Sequence, residues 1–567
     1  MTEKKWLELY PEEIPKTISY EKIPVQEYLT RAAKEVPEQN AIHFLGKNIT
    51  YKEFYQSSLK FAHYLHSLGI EKGDRVAIML PNCPQSAIAF FGILYSGAIV
   101  VQTNPLYTER ELKYQMVNSG AKAIVALDLL YPRINNIIKE TALENVIITG
   151  IKDYLPFPKN LIYPFIQKKE NGISVKVEHR GIYHLFPEIM KIAKAEPITS
   201  DFNFDEDVAL LQYTGGTTGL PKGVMLTHEN LVSNTAMCEN WLYESKRGKE
   251  VVLGMLPFFH VYGMTTVLVL TVMMYNKMVL LPKPDMDMAL KTIDKQKPTL
   301  FPGAPTMYIG LLNHPDIGKY DLSSITACIS GSATLPIEVK QQFEAVTGGK
   351  LVEGYGLTET SPVTHANFVW KGSEYNTSGS IGVPWPNTDA CIMGSESDEP
   401  LEIGEIGEIA VKGPQVMKGY WQMPEETEST FRNGWFLTGD LGKMDEEGRF
   451  YIVDRKKDMI IASGFNIYPR EVEEVLYEHE AIQECVVAGV PDAYRGETVK
   501  AYIVLKENAS VTEEELDKYC RANLAAYKIP RIYEFRDELP KTAVGKILRR
   551  SLVDEEKAKL EGNLQEA

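Results

Sequence analysis

Tyr213-Thr-Gly-Gly-Thr-Thr-Gly-Leu-Pro-Lys-Gly223 is the stretch on which the fold turns. An apolar run at 208–212 leads into it and another at 224–226 follows. Gly215, Gly216 and Gly219 let backbone N–H groups close around a phosphate. The hydroxyls of Thr214, Thr217 and Thr218 can donate to its oxygens, and Lys222 adds a point charge. In a Walker A loop Gly-Lys-Ser/Thr opens a helix; here Lys-Gly opens a strand. On these residues alone a Gly/Thr hairpin turn and a phosphate loop fit equally well.

Upstream, the pattern predicts a helix over 51–68 ending at Gly69, a strand at 75–80 and a helix at 84–95. A strand at 98–102, a helix at 109–118 and a strand at 123–127 follow. Strands alternating with helices imply a largely parallel sheet covered on both faces. The same rhythm returns at 253–256, 278–281, 299–301 and 327–330. Residues 380–453 read differently, as short segments broken by Gly and Pro, which predicts a small antiparallel barrel or sheet. The charge run Asp454-Arg-Lys-Lys-Asp458 then marks a domain boundary. Beyond it the pattern predicts a helix at 470–478, strands at 484–489 and 499–505, a helix at 512–524 and a strand at 532–536. The expected fold class is α/β: a large N-terminal region of fused α/β subdomains over 1–454, including the small barrel, then a small α+β C-terminal domain over 455–567.

The 567 residues carry 60 basic and 76 acidic side chains, a net charge of −16. Such a surface repels polyphosphate at long range, which argues against a nucleic-acid partner but not against a nucleotide in a locally positive pocket. Six scattered cysteines with no CxxC pair read as small core residues in a reducing compartment. The first residues lack the apolar stretch of a signal peptide, and the expected location is cytoplasmic. Residues 251–276 form a run of 26 without Asp, Glu, Lys or Arg, longer than the roughly 20 that span a bilayer. Pro257 and His260 interrupt it, so a buried strand plus helix is expected. Peripheral membrane contact and a homodimer are left open.

The loop closely resembles the phosphate-binding signature of the adenylate-forming acyl-CoA synthetase superfamily, which includes acyl-CoA ligases, luciferases and peptide-synthetase adenylation domains. The resemblance covers essentially the whole chain, because further motifs follow in order. Pro257-Phe-Phe-His-Val-Tyr-Gly263 looks like the motif whose histidine, here His260, lies at the acyl site. Gly331-Ser-Ala333 (with Ser332) and Glu353-Gly-Tyr-Gly-Leu-Thr-Glu359 look like the adenine and phosphate–metal segments. Thr438-Gly-Asp440 looks like the ribose motif. Arg455 matches the ribose-contacting arginine and Lys457 the hinge. Pro540-Lys-Thr-Ala-Val-Gly-Lys546 looks like the segment that carries the catalytic lysine. Each residue alone has a plainer reading: His260 as a core histidine, Asp440 as a turn residue, Glu359 as a helix-terminal acid, Lys546 as a surface charge.

The resemblance implies a two-step reaction with ATP, Mg2+ and coenzyme A. A fatty carboxylate would displace pyrophosphate from the α-phosphate of ATP, and coenzyme A would then displace AMP. By resemblance Glu359 holds the metal and Thr358 donates to the α-phosphate. Lys546 bridges carboxylate and phosphate, Asp440 accepts from the ribose hydroxyls, and Tyr355, flanked by Gly354, offers adenine a flat face. The small C-terminal domain is expected to be mobile, turning about Lys457 to bring the loop Ser463-Gly464-Phe465-Asn466 towards the pantetheine.

Gly356 stands where acetate-specific relatives carry a pocket-closing tryptophan, which disfavours acetate. The segments Asn433-Gly-Trp-Phe-Leu-Thr-Gly-Asp440, Asp454-Arg-Lys-Lys-Asp-Met-Ile460 and Ser463-Gly-Phe-Asn466 are similar to the bacterial long-chain fatty-acid signature. The uncharged 251–276 run is a candidate wall for an apolar tunnel. Met264 replaces the tryptophan gate of some long-chain enzymes, and aryl-acid (4-coumarate-type) and medium-chain acyl-CoA ligases are the alternatives. A non-catalytic sensor on this fold would be expected to lack Lys546 or Glu359; both are present.

Overall fold

The structure is a computed structural model that describes residues 4–171, 180–198, 201–214, 221–372, 374–394, 399–462, 465–492, 495–542 and 545–566. The chain forms two compact units. The larger comprises Trp6–Asp389 and Lys412–Phe431, the smaller Met1–Lys5, Ala390–Val411 and Arg432–Ala567.

In the larger unit, an eight-stranded sheet runs in the order Gly419–Tyr420, Lys222–Thr227, Val208–Thr214, Ile99–Gln102, Arg75–Met79, Ala123–Leu127, Asn145–Thr149, Tyr183–Leu185. From Val208–Thr214 onwards all pairings are parallel. The local sequence explains the alternation. Thr50 and Glu53 form a reciprocal capping box that starts the helix Tyr51–Ser67, and Pro84 opens Pro84–Tyr95, where its missing N–H costs nothing. Every residue of that second helix is buried, as a helix under a parallel sheet must be.

A second group of strands, Val251–Gly254, Lys277–Leu280, Asn40–Phe44 and Lys47–Thr50, is bridged through Leu300 to Ala327–Ser330, Lys350–Gly356, Val363–Ala366 and Val383–Pro384. The expected strand at 299–301 is thus a single bridging position. The uncharged run folds as the strand Val251–Gly254, the short helix Val261–Gly263, a π-helical stretch Met264–Val269 and the helix Leu270–Met273. Among the described residues no helix is long and apolar enough to cross a membrane.

In the smaller unit, Gly407–Lys412 and Phe450–Arg455 flank Trp435–Met444 antiparallel, which realises the antiparallel pattern expected of that region as a sheet of five strands. A further sheet, Phe465–Ile467, Ile460–Ala462, Gly496–Leu505 and Ile482–Asp492 with Ile532–Phe535 on Gly496–Leu505, packs on the helices Pro469–Tyr477 and Glu513–Asn523 around Ile460, Val472, Leu476, Val487, Ile503 and Leu516. All six cysteines are free and buried.

Candidate active site

Val208–Thr214 delivers the chain into the Gly/Thr loop and Lys222–Thr227 takes it out, with Thr214 opposite Lys222 in an antiparallel pair. Gly215, Gly216, Thr217, Thr218 and Gly219 lie outside the described residues. Beyond the loop, Lys222 pairs with the Glu426 carboxylate and sits 4.9 Å over the Tyr420 ring. The Tyr420 hydroxyl donates to Glu359 Oε1 at 2.8 Å. Desolvation, and after it the Glu359 carboxylate, hold the Tyr420 phenol well above its ordinary pKa, so it stays a donor. One tyrosine therefore links the loop lysine to the proposed metal carboxylate. The sequence reading missed it. The signal is faint, a two-residue strand, Gly419–Tyr420, that pairs with the strand leaving the loop.

Glu359 and Thr358 occupy the 3-10 turn Thr358–Thr360. The Met417 amide donates to the Glu359 carbonyl at 2.8 Å, which fixes this turn beside the strand Gly419–Tyr420. Two residues before the turn, a Cβ on Gly356 would lie 1.9 Å from the Pro362 carbonyl oxygen. Only glycine fits that backbone.

Three contacts tie the His260 segment to these elements. Gln212 Nε2, on the strand entering the loop, donates to the Phe259 carbonyl at 2.7 Å. Thr265 Oγ1 donates to the Ser361 carbonyl at 2.8 Å, and the Tyr262 hydroxyl to the Ile329 carbonyl at 2.7 Å. The Tyr262 ring lies where a Cβ on Gly331 would approach within 3.0 Å, so Tyr262 supports the Gly331–Ser332–Ala333 turn, in which Ser332 has φ 72°. His260 itself is half-buried and begins the helical stretch. Asn82 clamps the approach to it, donating to the Gly254 and Leu256 carbonyls and accepting from the Phe258 amide. Tyr355 and Gly354 sit on Lys350–Gly356, Tyr355 with its ring centroid 5.8 Å from that of His365. Glu353 is buried on the same strand, its carbonyl accepting from Asn367.

The smaller unit holds the other candidate residues. Asp440 and Arg455 are partners in the register of two antiparallel strands, with Arg455 Nε 3.4 Å from Asp440 Oδ1. Lys546 closes a tight turn in which its amide donates to Thr542 Oγ1 at 3.1 Å, made possible by Gly545 at φ 79°. Desolvation of the Lys546 ammonium, followed by repulsion from Arg455, brings its pKa down to about 7, against the upward pull of Asp440 and Asp458. Lys546, Arg455 and Asp440 are thus electrostatic neighbours. Three residues on, Arg549 reaches Asp458 Oδ2 at 2.6 Å and Glu473 Oε1 at 2.7 Å, with Asp454 Oδ1 at 3.9 Å. Burial raises the Asp454 carboxyl to about 6. Lys457 is exposed in the turn that follows Arg455. Gly464 lies outside the described residues.

Residues 29–421 match the family described as AMP-binding enzyme, and residues 471–546 the AMP-binding enzyme C-terminal domain. A long-chain-fatty-acid–CoA ligase of Bacillus subtilis (strain 168) is 57% identical over 556 residues, covering 98% of this chain and 98% of the relative. Among solved structures, ATP-bound MatB from Rhodopseudomonas palustris is 30% identical with a TM-score of 0.81, covering 94% of this chain and 99% of its own. The anthranilate CoA ligase AuaEII in complex with anthranoyl-AMP is 26% identical with a TM-score of 0.83, covering 96% and 98%.

Proposed function

The chain belongs to the AMP-binding enzymes, and from that premise we propose that it is an ATP-dependent long-chain fatty-acid–CoA ligase. The observation that carries this reading is the near-full-length identity of 57% to a ligase of that name, in a chain that keeps Lys546, Glu359, Thr358 and Asp440. Six free, buried thiols suit a cytoplasmic enzyme.

A carboxylate does not acylate a thiol directly, because oxide would have to leave. One carboxylate oxygen attacks the α-phosphorus of ATP and pyrophosphate departs. The coenzyme A thiol then attacks the acyl carbon, and AMP leaves with that oxygen. The first step brings two anions together, so fixed donors and cations dominate its barrier. Thr214 and Lys222, at the two ends of the Gly/Thr loop, would hold the phosphates of ATP together with the loop residues between them, while Thr358 would donate to the α-phosphate. Asp440 and Arg455 hold the ribose. Adenine lies on Tyr355 beside Gly354 and Gly331–Ser332–Ala333, bordered by Glu353. Lys546 contacts both the attacking carboxylate and the α-phosphate. His260 lies at the acyl carboxyl end, and the uncharged run 251–276 that contains it is the candidate wall of the acyl tunnel.

Glu359 suits Mg2+. Among the described residues no group of three or more His, Cys, Asp or Glu forms a metal cage, and Mg2+ is usually held by one or two carboxylates together with phosphate oxygens. When bound, the ion supplies positive charge to those oxygens. Tyr420 orients the Glu359 carboxylate. A hydrogen bond to a charged group contributes about 1.5–3 kcal/mol, so Tyr420→Phe is expected to lower the adenylation rate about tenfold and to raise the Mg2+ concentration giving half-maximal rate. A Mg2+ titration of pyrophosphate release reads both.

In the second step Lys546 stands where the thiol must approach, and residues beyond Lys457 turn to bring the segment containing Gly464 and Phe465 towards the pantetheine. Lys457→Pro is expected to spare acyl-adenylate formation and to slow thioester formation, because proline locks φ near −65°. Single-turnover assays of the two steps separate them, and equal loss in both would remove Lys457 as the hinge.

The reading is tested by mass spectrometry of products from C2 to C18 acids and coumarate, with ATP, with and without coenzyme A. Palmitoyl-CoA is expected to lead. Coumaroyl-CoA or octanoyl-CoA forming faster would overturn the substrate class, and an adenylate that never becomes thioester would overturn the ligase.

A further inference from the structure

The helix Lys159–Asn171 of the larger unit is inside out. Its buried side chain is polar: Gln167 donates through Nε2 to Asp128 Oδ1 at 3.1 Å. Its large apolar side chains face solvent, with Leu161 61% and Phe165 76% exposed, and Phe157 just before the helix is 78% exposed. Ile162 and Ile166 lie beside them at helical spacing and are also exposed. A globular surface seldom presents so many large apolar side chains together without a partner.

Charge identifies the partner. From Tyr154 to the end of the helix at Asn171 the chain carries three lysines, Lys159, Lys168 and Lys169, against one acid, Glu170, within a protein of net charge −16. Aromatic and aliphatic side chains rimmed by lysine stems are the composition of a helix lying in a bilayer interface, and anionic headgroups attract each such lysine. The five apolar side chains together present several hundred Å2. That is short of the about 800 Å2 each partner covers in a stable dimer, and a second copy would bring like charges together.

We infer that residues 157–169 dock the protein on an anionic lipid bilayer, with Phe157, Leu161 and Phe165 inserted at the level of the headgroup–acyl boundary and Lys168 and Lys169 against headgroup phosphates. The docked protein meets long-chain acids where they partition. That use rests on the ligase reading above, whereas the docking itself does not.

The test is cosedimentation of the full chain with phosphatidylglycerol–phosphatidylethanolamine vesicles and with phosphatidylcholine vesicles. The unsubstituted protein is expected to bind the anionic vesicles, and Phe157→Ser with Phe165→Ser to lower the partition coefficient at least tenfold. Lys168→Gln with Lys169→Gln is expected to lower binding several-fold on anionic vesicles at 0.1 M salt and to leave binding to phosphatidylcholine unchanged. Absence of binding by the unsubstituted chain, or equal binding by the serine variant, overturns the docking. So does a shift from dimer to monomer in the serine variant without vesicles, which would make the face a self-association surface. Turnover of palmitate from Triton X-100 micelles, expected to be equal in the unsubstituted and serine-substituted chains, reports folding. No turnover by either would remove the ligase reading while leaving the vesicle result to stand.

Discussion

Lys546→Ala is expected to slow acyl-adenylate formation about 10²–10³-fold, the scale on which losing one preorganised electrostatic contact acts. Thioester formation from supplied palmitoyl-adenylate should stay within about threefold. The asymmetry follows from charge. Two anions meet only in the first step, and the ammonium offsets their repulsion only there. Lys546 titrates near 7, with desolvation the main cause and Arg455 the second. Its cation is therefore lost as pH rises through about 7 in the free enzyme. The adenylation kcat/KM should accordingly show a descending limb with an apparent pKa of about 7, because kcat/KM reports free-enzyme ionisations. Lys546→Arg, whose guanidinium stays charged, should be slower at neutral pH yet lack that limb. Pyrophosphate release measured from pH 6 to 9 reads all three proteins. An unchanged limb in the arginine variant would assign it to another group.

Arg549→Met is expected to destabilise the smaller unit by about 3–5 kcal/mol, the cost of breaking a buried charge pair from one side. Its guanidinium stands among Asp458, Glu473 and Asp454, and methionine would leave those carboxylates facing one another with little water. Asp454→Asn should behave differently. Desolvation raises the folded-state carboxyl to about 6, above the value of about 4 for an unfolded aspartate. The folded state therefore favours the protonated acid. Ionisation penalises the fold increasingly from about pH 4 to 6 and fully above that. At pH 7 asparagine removes the penalty together with one of three carboxylate partners, and the net change should fall within about 1 kcal/mol. Hydrogen exchange in the strands Ile482–Asp492 and Gly496–Leu505 measures both variants. Equal protection in the unsubstituted and Arg549→Met proteins would show that Arg549 stabilises nothing there.

Much of the fold is legible because its signals are local. Pro84 and the Thr50–Glu53 box set helix starts within a residue of the periodicity, and the strands Ala123–Leu127 and Ala327–Ser330 coincide with their apolar runs. Ends drift where apolar residues continue past the pairing, as at 253–256, where the strand is Val251–Gly254 and the chain then turns at Pro257. The π-helical Met264–Val269 has no local signature; it is held by the tertiary bond from Thr265 to Ser361.

The candidate site divides in the same way. Glu359, Asp440 and Lys546 stand in motifs that fix them by sequence. Tyr420 reaches Glu359 from 61 residues away, through a strand too short to carry a pattern. Arg549 reads in sequence as half of a basic pair with Arg550, whereas the fold buries it among acids that lie 76 to 95 positions back. Residues chosen by chemistry are visible in sequence, and residues chosen by what packs against them are not.

The most direct measurement of the acyl-adenylate route is the fate of oxygen. With palmitate labelled in both carboxyl oxygens with 18O, unlabelled ATP and coenzyme A, the adenylate route predicts one 18O in AMP and one in the palmitoyl-CoA carbonyl. Unlabelled AMP, or ADP with the label in orthophosphate, would contradict it.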